Sequence, residues 1–319
     1  MTDKQINRWL RRQFSPIGWV LIGYFLVMNV LVWLGMFAEE LKLLMQAAAA
    51  GDFSGELDWD VIYGNGWGYV FTTLIFLVLL HAWKGTDYWK SELFRREKPM
   101  GPGVFFGLIS FCITAQMVNS LWITGLELVM NLFGMSVYPL LSYVTGEADT
   151  FSMFLYGSLL APVAEELLFR GYVLRTLRPF GKRFAILGSA ILFGLFHGNL
   201  LQTPYAFLMG LLLGYAAVEY SVYCSIALHV FNNLVLADLL TRLTANLSDF
   251  WYGVVDLTIF GSFTMAACIL MVRKRREIAA YICSEWIDRR CLKCLFTNAG
   301  VLVLTILAVY NMLSLFFMQ

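Results

Sequence analysis

Apolar residues in this chain run in long blocks parted by short charged connections, and the blocks are about 20 residues long, the length a helix needs to cross a hydrocarbon core of about 30 Å. They fall at 17–37, 65–83, 104–125, 151–174, 184–201, 204–222, 225–244, 252–272 and 299–318. The pattern predicts an all-α polytopic transmembrane helical bundle of about eight to nine spans, nine on this division. Ahead of the first block, Ile6, Trp9, Leu10 and Phe14 recur at helical spacing against Lys4, Arg8, Arg11 and Arg12, as in an amphipathic helix lying on a membrane surface. Ser15-Pro16 is expected to end that helix. Met1 to Phe14 is too polar for a signal-peptide core, and the block after it is long enough to span and lacks an A-x-A-like exit, so it is expected to be retained.

Charge then orients the blocks, because Lys and Arg resist translocation. Lys84, Lys90, Arg95, Arg96 and Lys98 fall in the second connection, Arg175, Arg178, Lys182 and Arg183 in the fourth, and Arg273, Lys274, Arg275 and Arg276 in the eighth. The first connection instead holds Glu39, Glu40, Asp52, Glu56, Asp58 and Asp60, and the third holds Glu127, Glu147 and Asp149. The alternation predicts a cytoplasmic N-terminus and an external C-terminus. Residues 1–16 read as a surface helix, 17–272 as one membrane domain without internal repeats, 273–298 as a cytoplasmic surface segment and 299–319 as an additional span. The Arg273–Arg276 run reads as a topology anchor.

Composition agrees with a multi-pass protein of the cell membrane whose first partner is the bilayer. Hydrophobic residues make up 59% of the 319, charged residues only 14%, and mean hydropathy is +0.68, whereas soluble domains carry about a quarter charged residues. A net charge of +1 gives no sign of a nucleic-acid partner. Cys112 and Cys268 lie in apolar blocks, and Cys224, Cys283, Cys291 and Cys294 lie near the cytoplasmic side, which predicts a reducing environment. Cys291 and Cys294 form a C-x-x-C, but no second pair or histidine follows to complete a structural zinc site.

Ionisable residues inside a block carry the chemistry. Glu165, Glu166 and Arg170 share one span, where each charge facing lipid would cost about 2.5–3.5 kcal/mol. Glu166 and Arg170 are four apart with the acid first, the favourable order for a helical ion pair. Glu165 points about 100° away from Glu166 and has no local partner. Pro162 is expected to open the helix just before it, at the carbonyl of Ser158. His197, four after Phe193, and His229, four before Asn233, follow in later blocks; Asn232 also reaches the His229 face, and spacing does not choose between the asparagines. His81 sits beside Trp83 and Lys84 as an interfacial residue. Gly194 with Gly198, and Gly210 with Gly214, have the small-residue spacing of close helix packing. Depth counting sets Glu165 about 15 Å, His197 about 21 Å and His229 about 6 Å from the cytoplasmic boundary. Straight upright helices could not bring them together.

The stretch Glu165-Glu166-Leu-Leu-Phe-Arg170 resembles the E-E-x-x-x-R motif of the CAAX prenyl-protease and bacteriocin-processing (type II CAAX protease) family. Phe193 to His197 resembles its F-x-x-x-H and His229 to Asn233 its H-x-x-x-N, in the same order, so the resemblance covers about 104–245. It implies a glutamate-dependent intramembrane endopeptidase with no cofactor and no metal, acting on a membrane-associated peptide or protein. Under it Glu165 and His197 activate water, His229 and Asn233 bind the oxyanion, and Glu166, Arg170 and Phe193 support them. Two histidines and a glutamate are also a common zinc set, so a zinc-dependent protease is the alternative mechanism. A non-enzymatic regulator or immunity protein on the same scaffold is the alternative function.

Overall fold

The computed structural model describes residues 2–51, 57–145 and 150–317, and every regular element among them is helical. Asp52, Glu56, Glu147 and Asp149 of the acidic connections lie outside the described residues. The main helices are α1 (Asp3–Ala50), α2 (Trp67–Asp87), α3 (Pro102–Asn131), α4 (Phe151–Phe180), α5 (Lys182–Phe196), α6 (Thr203–Glu219), α7 (Val222–Thr244), α8 (Asp249–Cys283), α9 (Arg289–Phe296) and α10 (Ala299–Phe317). Each of the nine apolar blocks maps onto one of them. Among the described residues, six helical stretches are long and apolar enough to cross a membrane, with a seventh where α9 and α10 meet at a 68° bend.

Helices α5 and α6, of 15 and 17 residues, are shorter. At 1.5 Å per residue they reach about 22–26 Å, less than the hydrocarbon thickness of about 30 Å. They form a tight antiparallel hairpin in the middle of the bundle, and a Cβ on Gly210 would stand 2.8 Å from the Ala190 Cα. Gly194 and Gly214 also face close neighbours across this hairpin. Gly198 does something different from packing: α5 stops at Phe196, and Gly198 turns the chain at φ +61°, a conformation that a side chain disfavours.

The connections gather at two ends, as their charges predict. At one end Glu219 accepts from Lys98, Lys182 and Tyr281, and Glu285 accepts from the Lys182 backbone, so the basic second, fourth and eighth connections meet there. The first turns of α1 join them, with Asp3 paired to Arg290 and Arg11 donating to Thr297. At the other end Thr150 donates to the Gly64 carbonyl, Ser152 to which the Gly66 amide donates lies beside it, and Asn65 donates to Glu39.

The expected break at Ser15-Pro16 is absent: α1 runs unbroken from Asp3 to Ala50 with Pro16 inside it. Phe14, Ile17 and Leu21 are fully buried against Phe169, Val173 and Phe184, so tertiary packing holds the segment straight across the proline. Of the apolar side of the predicted surface helix, Leu10 and Phe14 thus cover protein, whereas Trp9 stays exposed. Behind them α4 shares one core layer with α1, α5, α6, α9 and α10, while a separate layer is formed by Ile109, Ile113, Leu213 and Leu228 of α3, α6 and α7.

Candidate active site

Helix α4 is irregular where the chemistry lies. It widens into π turns over Leu155–Leu160, tightens to an α turn over Ala161–Glu166, and widens again over Leu167–Leu174. In the first π turn each amide reaches back five residues, as Ala161 does to the Tyr156 carbonyl. Pro162 has no hydrogen to give Gly157, the next acceptor in that register. Asn233 of α7 supplies it, its Nδ2 donating to the Gly157 oxygen at 3.0 Å. The helix thus opens at Gly157 rather than at Ser158, and a side chain 76 residues away completes its hydrogen bonding.

One turn beyond, Glu166 is the hub of a buried polar cluster. Arg170 Nη1 donates to its Oε1 at 2.8 Å, Ser225 Oγ donates to its Oε2 at 2.6 Å, and His229 Nδ1 meets Oε1 at 2.9 Å. Glu166 and Arg170 have no solvent exposure, so the pair is viable only because these hydrogen bonds satisfy it. Arg170 also donates to the Gly210 carbonyl at 3.3 Å, and its guanidinium lies 4.4 Å from the centre of the Phe193 ring. Phe193 therefore serves as a floor under the cation. The four-residue spacing of Glu166 and Arg170 predicts this pair, while the third partner, Ser225, was unforeseen. It stands four residues before His229, on the same helical face.

Glu165 is placed differently. Its side chain keeps 18% exposure and lies 3.9 Å from His229 Nε2, so the His229 ring stands between the two glutamates. Tyr24 of α1 and Tyr156 of α4 are within electrostatic range of Glu165, and Tyr156 stacks on Tyr69 of α2 at 4.7 Å. Tyrosines of α1 and α4 thus stand near the partly open carboxylate of the cluster.

His197 lies just past the end of α5, with Nδ1 2.8 Å from the Phe193 carbonyl. A carbonyl only accepts, so Nδ1 carries the hydrogen of this bond, and Nε2 is the ring nitrogen left for another partner. The Phe193 ring meets both histidines edge to face, at 4.8 Å from His197 and 5.9 Å from His229. Asn232, left open by spacing, is occupied on both atoms: it accepts from Tyr205 at 2.7 Å and donates to Asn233 Oδ1 at 3.0 Å. It orients its neighbour, and Asn233 is left facing α4. The structure brings Glu165 within 3.9 Å of His229 despite the unequal depths of straight helices, while His197 joins the group through the Phe193 ring that both histidines meet. Among the described residues no three His, Cys, Asp or Glu side chains are grouped as metal ligands.

Residues 147–235 match the family model Type II CAAX prenyl endopeptidase Rce1-like. The match runs from the start of α4 to just past Asn233, narrower than the 104–245 over which the motifs resemble the family. No curated protein and no solved structure matches the chain.

Proposed function

We propose that this multi-pass membrane protein, which carries an Rce1-like protease domain, is an intramembrane endopeptidase using water activated by Glu165 and His197. The observation that carries the reading is the division between two adjacent glutamates. Glu166 is sealed and satisfied by Arg170, Ser225 and His229, whereas Glu165 keeps exposure and faces His229 at 3.9 Å. A carboxylate free of structural duty beside a fixed histidine is the arrangement that general-base chemistry needs.

In this mechanism a peptide carbonyl sits between Glu165 and the Asn233 face of α7. Water attacks the carbonyl carbon while Glu165, with the His197 Nε2 lone pair orienting the water, takes its proton. The oxyanion accepts from His229 Nε2–H and from the second amide hydrogen of Asn233, the first being held by Gly157. Collapse breaks the C–N bond, and Glu165 returns the proton to the departing amine. The Glu166 carboxylate fixes the His229 ring through Nδ1. The substrate class is a membrane-associated or lipid-anchored peptide. Peptidomics of membranes from cells carrying the wild type or Glu165→Ala tests the reading: a peptide that accumulates uncut only in the variant supports it, and identical profiles with full cellular effect in the variant favour a non-enzymatic regulator.

A further inference from the structure

A second polar feature lies far from the glutamates, at the basic end, and is independent of the proposed activity. A cleft of about 630 Å³ opens between the first turns of α1 and the start of α10, lined by Lys4, Arg8, Arg11, Arg12, Ser15 and Asn298 among others, with no carboxylate. Lys4, Arg8 and Arg12 have no anionic partner among the described residues, and Arg11 spends one nitrogen on the Thr297 hydroxyl. The nearby Asp3 is already paired with Arg290. Four cations around one concavity repel each other unless an anion fills it.

The walls are fixed rather than incidental. Asn298 donates to the Arg11 carbonyl at 2.9 Å and accepts from the Gly300 amide at 3.2 Å, joining the cleft to the N-terminus of the 19-residue α10, whose dipole adds positive potential. Gly18 and Gly300 let the two backbones touch below it, since a Cβ on Gly18 would stand 2.2 Å from the Gly300 carbonyl carbon. The apolar runs of α1 and α10 begin directly beneath the cleft, with Trp19 and Leu302 exposed on their surfaces. A charged head at this level would have its acyl chains beside apolar helix.

We propose that this cleft is a binding site for the phosphate headgroup of an anionic phospholipid, which clamps α10 to the start of α1. The purified full-length chain in detergent is tested with dioleoyl-phosphatidylglycerol, dioleoyl-phosphatidylcholine or inorganic phosphate, reading bound lipid by native mass spectrometry and the unfolding midpoint. Phosphatidylglycerol should stay bound and raise the midpoint; phosphatidylcholine and phosphate should not. The doubly substituted Arg8→Gln, Arg12→Gln protein should bind phosphatidylglycerol about 30-fold more weakly, at roughly fivefold per cation near a membrane surface. Arg273→Gln with Arg275→Gln, equally basic and elsewhere, should bind as wild type does. Equal losses in the two pairs would reduce the effect to overall charge and overturn the proposal. So would equal retention of phosphatidylcholine by the wild type, or a midpoint rise with phosphate alone, and these two need no variant.

Discussion

Arg170→Ala isolates the support that lets two glutamates sit side by side in a bundle. The substitution removes the 2.8 Å contact to Glu166, the 3.3 Å bond to the Gly210 carbonyl and the cation over Phe193, all at a site with no exposure. Glu166 would keep Ser225 and His229 but lose its guanidinium partner. Breaking a buried pair from one side costs about 3–5 kcal/mol, and the contacts removed are not additive with it. At roughly 2–4 °C per kcal/mol for a chain of this size, the midpoint should fall by about 10 °C. Glu165→Gln, partly exposed and without such contacts, should change stability by under about 1 kcal/mol. Glu166→Gln added to Arg170→Ala should recover part of the loss, because it removes the stranded charge. Thermal unfolding of detergent-purified protein followed by size-exclusion chromatography reads all three. A melting point for Arg170→Ala within a degree of wild type, with Glu165→Gln destabilised, would show the roles reversed.

Three further outcomes follow from the same structure. A reporter inserted between Arg96 and Pro99 should be cytoplasmic and one fused after Gln319 external, because the basic connections and the first turns of α1 share one end; both on one side would refute this topology. Gly18→Leu should pry α10 from α1, read as faster proteolysis between α9 and α10, since its Cβ meets the backbone of Gly300 at 2.2 Å; unchanged proteolysis contradicts the packing. Asn233→Ala should lower turnover by about 10²–10³ through the lost oxyanion donor and also free the Gly157 carbonyl, so a small drop in melting point should accompany it; a full rate in Asn233→Ala would remove this residue from the site.

What could be read from the sequence was whatever depends on one helix. Glu166 with Arg170, the isolation of Glu165 from that arginine, and the length of the apolar blocks all follow from spacing and period. Contacts between helices were not legible in the same way. Ser225 is an ordinary residue in an apolar block until Glu166 stands 2.6 Å from it, and the acceptor opened by Pro162 could be assigned only once Asn233 was seen across the bundle. Pro16 misled in the opposite sense: a proline in a helix interior costs about 3 kcal/mol alone, but burial of Phe14 and Ile17 on either side outweighs its local preference. Depth counting set Glu165 and His229 apart, although they lie 3.9 Å from each other, because the π turns of α4 and the early start of α7 change the rise and the boundaries that it assumes.

Cleavage of a membrane-associated peptide by detergent-purified protein, compared across wild type, Glu165→Gln, His197→Ala and Asn233→Ala with and without a strong chelator, tests the central claim most directly. Glu165→Gln and His197→Ala should still bind the peptide yet show no measurable turnover, since binding requires no proton transfer. Asn233→Ala should retain a residual rate, and the chelator should leave the wild-type rate unchanged. Undiminished cleavage by Glu165→Gln would contradict the account, and activity lost to chelator and restored by zinc would replace its water activation with that of a metal.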